Sequence, residues 1–251
     1  MAASNTGVKK NSRVKRFARF VMRGGRRRVG AAGQLATRPQ LIIFDFDGTI
    51  ADTFENGLEI LNLLATEFGF RPLERGDLER ARDMRTRQLI KFLGVPTRKM
   101  PRVSKRGIEE LNKRMDSILP CSGVPDLLRN LQALGFRLGI LTSNSEENVA
   151  LFLRKHDLEL FDFVRCSSKL MGKARVLRSL LKKLRIKPAD VLFVGDETRD
   201  IDAAQETGIH MAAVSWGYNS QRSIEALGPD YLIHSPEELL QLLRTFPLPR
   251  E

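Results

Sequence analysis

Two cysteines in 251 residues, Cys121 and Cys166, are too few for a disulfide framework, and neither sits in a metal-ligand spacing. A reducing, cytoplasmic setting fits that usage. The three histidines, His156, His210 and His234, also lack metal spacing and read as ordinary structural or surface residues. No apolar run approaches the roughly 20 residues of a membrane span. The apolar part of the N-terminus, 17–22, is interrupted by Arg19 and is too short for a secretory core. Acidic residues are missing altogether from residues 1–38.

That last absence explains the charge. Of the 42 Lys and Arg in the chain, 11 lie in residues 1–38, which leaves 31 against 30 acidic residues elsewhere. The net charge of +12 therefore belongs to the tail, and the rest of the chain is nearly neutral. Residues 1–39, with Gly24, Gly25, Gly30 and Gly33 among the arginines, bury too little apolar area to offset ordering entropy and read as a disordered tail. Val14, Phe17, Phe20 and Val21 could line one face of a short basic helix, suited to an anionic membrane or to organelle targeting. Translation from Met22 would remove about half of this basic charge. Nucleic acid is expected as a partner only through this tail.

Beyond the tail the pattern changes. A continuous apolar run at 41–44 is the mark of a strand buried on both faces of a parallel sheet, and similar runs recur at 138–141, 191–194 and 211–214, with a weaker one at 161–164. Helical periodicity separates them at 125–134, 146–155, 173–184 and 201–207. Strand alternating with helix predicts βαβ units and ligands at the carboxyl ends of the strands. Between Asp52 and Pro120 only helical patterns occur, near 55–68, 73–80, 86–93 and 103–118. The predicted architecture is α/β: a parallel-sheet core at 40–52 and 121–251, with a small all-helical cap at 53–120 inserted after the first strand.

Two carboxylates two apart, Asp45 and Asp47 in Asp45-Phe46-Asp47-Gly48-Thr49, follow the first apolar run. One can attack phosphorus while the other exchanges a proton with the leaving group and then with water. Gly48 permits a tight turn that brings backbone amides near a phosphate, with Thr49 beside it. Asp196 and Asp200, in Gly195-Asp196-Glu197-Thr198-Arg199-Asp200, end another predicted strand and should meet the first pair across the sheet edge. An oxygen-only cluster of Asp45, Asp47, Asp196 and Asp200 suits a hard cation, and with phosphate nearby suits Mg²⁺. Asp200 could equally cap the helix predicted from Ile201, and Glu197 could reach the metal through water or be solvated. Thr142, Ser143 and Asn144 follow the predicted strand 138–141, where a hydroxyl and amides could hold phosphate oxygens, with Ser145 available as the helix cap. Lys173 opens a predicted helix, where phosphate is already favoured, with Lys169 as a competitor. Arg82, Arg85, Arg87 and Lys91 crowd the middle of the cap, as either a second anion site or a solvated face. Trp216 and Tyr218 read as packing residues that could touch substrate.

These motifs, taken in order, resemble the haloacid dehalogenase-like superfamily of phosphatases over residues 40–243. The resemblance implies a Rossmann-like core with a helical cap, Asp45 as nucleophile, Asp47 as general acid and base, Thr142 and Lys173 as further catalytic residues, and Mg²⁺ as cofactor. Asp47 argues for phosphorus chemistry, since the dehalogenases of the superfamily lack that second aspartate. Gly48-Thr49-Ile50-Ala51-Asp52-Thr53 leading into a helical cap is most similar to phosphoglycolate phosphatases and their close relatives, which implies a small phosphorylated metabolite such as 2-phosphoglycolate. Lys173-Ala174 in place of Lys-Pro, and Glu197 where Ser or Thr is common, are departures that bear on substrate and not on reaction. A phosphosugar mutase using the same phosphoenzyme is the second reading, and a nucleic-acid or membrane-associated protein acting through its tail is the third.

Overall fold

The first apolar run forms β1 (Leu41–Phe44), whose four residues are all buried, and it lies in the middle of a sheet with neighbours on both sides. The computed structural model describes residues 35–167 and 172–247. Expectations for the tail helix and for Lys169 fall outside those residues. Leu35 and Arg38, assigned to the tail from composition, contact the core. Leu35 donates its N–H to the Tyr231 hydroxyl at 2.7 Å, and the Arg38 guanidinium lies 3.6 Å from the Phe136 ring centroid.

Six strands pair in parallel in the order β3-β2-β1-β4-β5-β6, with β2 Arg137–Thr142, β3 Phe163–Cys166, β4 Val191–Gly195, β5 His210–Val214 and β6 Tyr231–Ile233. Alternation along the strands splits the apolar residues between two faces. Ile42, Phe44, Leu192 and Val194 join one core cluster, while Leu41, Ile43, Val191 and Phe193 join the other. Being buried on both faces is why these strands read as unbroken apolar runs. The edge strand β3 sits two residues later than periodicity suggests. Phe161 leaves the sheet to make an edge contact with Phe44, and the exposed Arg165 and Cys166 complete the pairing with β2. The three-residue β6 gave too short a pattern to be read.

Between β1 and β2 the described residues contain helices and no strand: α1 (Phe54–Phe68), α2 (Leu78–Arg82), α3 (Thr86–Phe92) and α4 (Met100–Asn112), with three 3₁₀ turns, and then α5 (Val124–Ala133) packed on the sheet. The first four helices enclose a separate apolar cluster that includes Ile60, Leu64, Phe70, Leu93 and Val103. The remaining helices are α6 (Glu146–Lys155), α7 (Lys173–Leu184), α8 (Thr198–Thr207), α9 (Gln221–Glu225) and α10 (Pro236–Arg244). Ser145 caps α6 by accepting from the Asn148 N–H, as its position predicts. No described helix is long and apolar enough to cross a membrane.

Candidate active site

Because β1 and β4 are adjacent and parallel, the residues that follow them emerge at the same edge of the sheet. Asp45 leaves β1 with its N–H donated to Val194 O at 2.8 Å, which ties it to β4. The chain then turns back, with the Ile50 and Ala51 amides donating to Phe46 O. Gly48 sits in this turn at φ 76°, and a Cβ there would lie 2.5 Å from Asp196 Oδ2. Gly217 presses on the same carboxylate from the opposite loop, where a Cβ would approach Asp196 Oδ2 to 2.2 Å. Asp196 is thus cradled by two backbones that only glycine permits.

The Asp45, Asp196 and Asp200 carboxylates come together, one oxygen from each lying within 4.8 Å of the others, and all three residues are buried. Lys173 Nζ bridges two of them, at 2.5 Å from Asp45 Oδ2 and 2.6 Å from Asp200 Oδ1. Asp45 Oδ1 accepts from the Phe46 N–H at 2.8 Å. Its Oδ2 is close to the ammonium but off the hydrogen-bond direction, so this buried oxygen accepts no hydrogen bond from the described residues. Asp200 also accepts from the Glu197 N–H at 3.1 Å. It therefore serves the helix start, which falls at Thr198 and not at Ile201, as well as the cluster. Asp196 takes 2.6 Å from the Thr49 hydroxyl and 2.7 Å from the Tyr218 N–H.

The charge balance of this centre is unfavourable. Among the described residues five acids, Asp45, Asp47, Asp196, Glu197 and Asp200, face two cations, Lys173 and Arg199. Burial, then the Glu197 and Asp45 charges, holds the Asp196 pKa well above the usual carboxylate range. Burial and the Asp45 charge push Asp47 up to about 7. Burial likewise lifts Asp200 to about 7 against the pull of Lys173. Burial works against the Lys173 charge, but Asp200 and Asp45 outweigh it and raise its pKa. Oxygen-only donors, excess negative charge and an Asp45 oxygen without a hydrogen bond from the described residues fit a hard divalent cation.

The other residues singled out from the sequence are distributed as follows. Asp47 is half-buried beside the cluster, and its Oδ1 accepts from Asn144 Nδ2 at 3.1 Å. Thr142 is fully buried at the end of β2, with Oγ1 accepting from the Asn144 N–H at 3.0 Å and its own proton meeting no acceptor among the described residues. Ser143 Oγ accepts from Arg199 Nη2 at 3.3 Å. Thr49, expected at a phosphate, spends its hydroxyl on Asp196. The cap arginines separate. Arg82 donates to Gly217 O at 2.9 Å and lies 5.1 Å from the Phe54 ring centroid, beside the site. Arg85 pairs with Asp202 on α8 at 2.9 Å, and Arg87 and Lys91 are exposed on α3.

Several residues of this neighbourhood carry no motif. Tyr218, read as packing, also donates its hydroxyl to Thr53 O at 2.9 Å, so one residue touches both Asp196 and the start of α1. Asn219 accepts from the Thr198 N–H and donates to Arg82 O. Arg199 reaches both Glu197 and Ser143. Only its position inside the Gly195–Asp200 motif could have drawn notice to it.

Known proteins resemble this chain in sequence and in fold. The family described as haloacid dehalogenase-like hydrolase matches residues 42–214. A phosphoglycolate phosphatase from Synechococcus elongatus is 36% identical over 203 residues, covering 80% of this chain and 96% of its own length. The pyrophosphatase PpaX of Bacillus cereus is 26% identical over 220 residues, covering 82% and 97%. Among solved structures, a predicted phosphatase from Clostridium acetobutylicum superposes with a TM-score of 0.72 at 21% identity, covering 84% of this chain and all of that one. CbbY from Rhodobacter sphaeroides in complex with phosphate gives 0.66 at 23% identity, covering 82% and 99%. At those identities the two structures speak for the fold alone.

Proposed function

From the premise that the chain belongs to the haloacid dehalogenase-like hydrolases and is a phosphatase, we propose that it hydrolyses a small phosphomonoester through an aspartyl-phosphate formed on Asp45. The observation that carries this reading is the Lys173 ammonium held between Asp45 and Asp200 at the sheet edge. It holds Asp45 Oδ2 by charge in a buried setting and marks where an anionic phosphate would find a fixed positive charge.

A divalent cation, taken to be Mg²⁺, would be held by Asp45, Asp196 and the backbone carbonyl of Asp47, with Asp200 completing the acidic set. Bound there, it would offset the carboxylate charge and let the phosphate approach. An Asp45 oxygen attacks phosphorus, and the bond to the leaving oxygen breaks. Asp47 gives its proton to that oxygen, then takes one from the water that attacks the phosphoenzyme, which returns Asp45 and releases inorganic phosphate. Burial holds Asp47 near the pKa this exchange needs at neutral pH. Thr142, through its hydroxyl proton, and the Ser143 and Asn144 region would line the phosphate.

Residues 53–120 act in this reading as a cap that closes over the site, the core being formed by 40–52 and 121 onward. The preferred substrate is doubly anionic, such as 2-phosphoglycolate. The relative from Synechococcus elongatus supports that choice by its name, and Arg82 beside the site supplies a cation from the cap. The test is steady-state hydrolysis of 2-phosphoglycolate and of a neutral-tailed phosphate such as glycerol 3-phosphate, each with and without Mg²⁺. Phosphate release that needs Mg²⁺ and favours phosphoglycolate is the expected result. Equal specificity constants would leave the phosphatase and sink the glycolate assignment.

A further inference from the structure

Asp47 is held from one side by a row of three asparagine side chains that begins in the cap. Asn112, the last residue of α4, donates from Nδ2 to Asn148 Oδ1 at 2.5 Å. Asn148, fully buried in the first turn of α6, donates from Nδ2 to Asn144 Oδ1 at 2.8 Å. Asn144, nearly as buried, donates from Nδ2 to Asp47 Oδ1 at 3.1 Å. Each amide passes its donor forward, so the row has one direction, and it ends with an N–H presented to the carboxylate.

That direction is enforced. Asn144 Oδ1 also accepts from the Ser145 N–H at 2.8 Å, and the Asn144 N–H is held by Thr142 Oγ1 at 3.0 Å. Turning the Asn144 amide over would set an oxygen against the Asp47 carboxylate and a donor against the Ser145 donor. Turning Asn148 over would set two acceptors together at Asn144 and two donors together at Asn112. Hydrogen-bonded groups in such a row polarise one another, and each misplaced buried amide would forfeit its partner. Oδ1 of Asp47 is thereby committed as an acceptor, and Oδ2 is the oxygen the row leaves open to the reacting centre. A buried asparagine at 148 contributes no packing that a leucine would not, so its polar atoms are where its value lies.

We propose that Asn148 and Asn112 are positioning residues for the acid/base step. They fix Asn144, and through it the Asp47 carboxylate, and they make a competent Asp47 conditional on α4 resting against α6. This rests on the reading of Asp47 as general acid and base. It adds that the cap reports its own placement to the reacting centre through three side chains.

The test compares kcat/KM for phenyl phosphate and p-nitrophenyl phosphate, two esters of similar size whose leaving groups differ in basicity. This ratio reports the step in which the leaving oxygen needs a proton. Cleavage of both esters by the unsubstituted full-length enzyme, lost in Asp45→Asn, tests the underlying phosphatase reading by itself. In Asn148→Ala, kcat/KM for phenyl phosphate should fall about tenfold, a fraction of a general acid's usual contribution, with less than about a twofold fall for p-nitrophenyl phosphate. Asn112→Ala, only part-buried, should show the same selectivity with an unchanged unfolding midpoint, which separates positioning from a folding defect. On an Asp47→Asn background neither substitution should have any further effect. Equal losses for the two esters, or undiminished losses on the Asp47→Asn background, would overturn the proposal.

Discussion

Lys173 at the sheet edge and Arg85 in the cap are both cations paired with aspartates, and their surroundings make them different chemical objects. The Lys173 side chain is 4% exposed and sits against two carboxylates that are fully buried. Arg85 is 48% exposed and meets an Asp202 that is 46% exposed. Water screens the second pair and leaves it worth about 0–1 kcal/mol. In the first pair the partners have given up their hydration, so each depends on the other. The same contrast runs through the two regions. Strand residues at the sheet centre, such as Ile42, Ile43, Leu192 and Phe193, are wholly buried, whereas every member of the cap's own cluster keeps some exposure, and Phe70, Val95 and Val103 each retain 8%. The carboxylate centre is lodged among fully buried residues, and the cap's own cluster keeps more contact with solvent.

The contrast breaks first, if it is wrong, at Asp45. Asp45→Asn should cost on the order of 10⁶-fold in turnover, the scale of losing a covalent nucleophile, with near-native circular dichroism. Near-normal phosphate release from that variant would remove the covalent mechanism. Lys173→Met should lower stability by about 3–5 kcal/mol in urea titration at pH 8, because Asp45 and Asp200 are left as uncompensated buried charges. The loss should shrink at pH 5, where Asp200, pushed up to about 7 by burial, takes up a proton. A pH-independent loss would mean that packing and not charge had been removed.

Mg²⁺ comes next in size. Asp47 and Asp200 keep their protons up to about pH 7 when folded but titrate near 3.8 when unfolded. Across that window the folded chain binds more protons than the unfolded one, so metal-free stability should fall as pH rises from about 4 to 7. Mg²⁺ at about a hundred times its Kd should add about 2.7 kcal/mol. At fixed Mg²⁺ the gain should be larger at pH 8 than at pH 6, since protons compete for the same oxygens. Thermal unfolding at both pH values, with Mg²⁺ and with chelator, measures this, and a larger gain at pH 6 would contradict it. The smallest effect is expected at the exposed pair: Arg85→Ala should change unfolding by less than about 1 kcal/mol. A change of several kcal/mol would show that the cap is held to the core by that contact and would erase the contrast.

The amino-acid sequence by itself determined which carboxylates gather at the sheet edge. Unbroken apolar runs require burial on both faces and hence a parallel sheet, and parallel strands carry whatever follows them to one edge. Asp45, Thr142 and Asp196 each follow such a run, so their convergence was implied before any side chain was placed. The short β6 and the shifted β3 escaped because three residues make no period and because an edge strand tolerates exposed residues such as Arg165 and Cys166. Partnership is what only the tertiary structure decided. Nothing in the local pattern says that Thr49 serves Asp196, that Arg82 closes on Gly217 O while Arg85 turns to Asp202, or that Asn112 reaches Asp47 through two other asparagines. Spacing along the chain fixes which face of an element a residue occupies. Which of several competent donors meets a given carboxylate depends on how separate elements pack, and that is settled in three dimensions by burial and by the need to leave no polar group unpaired.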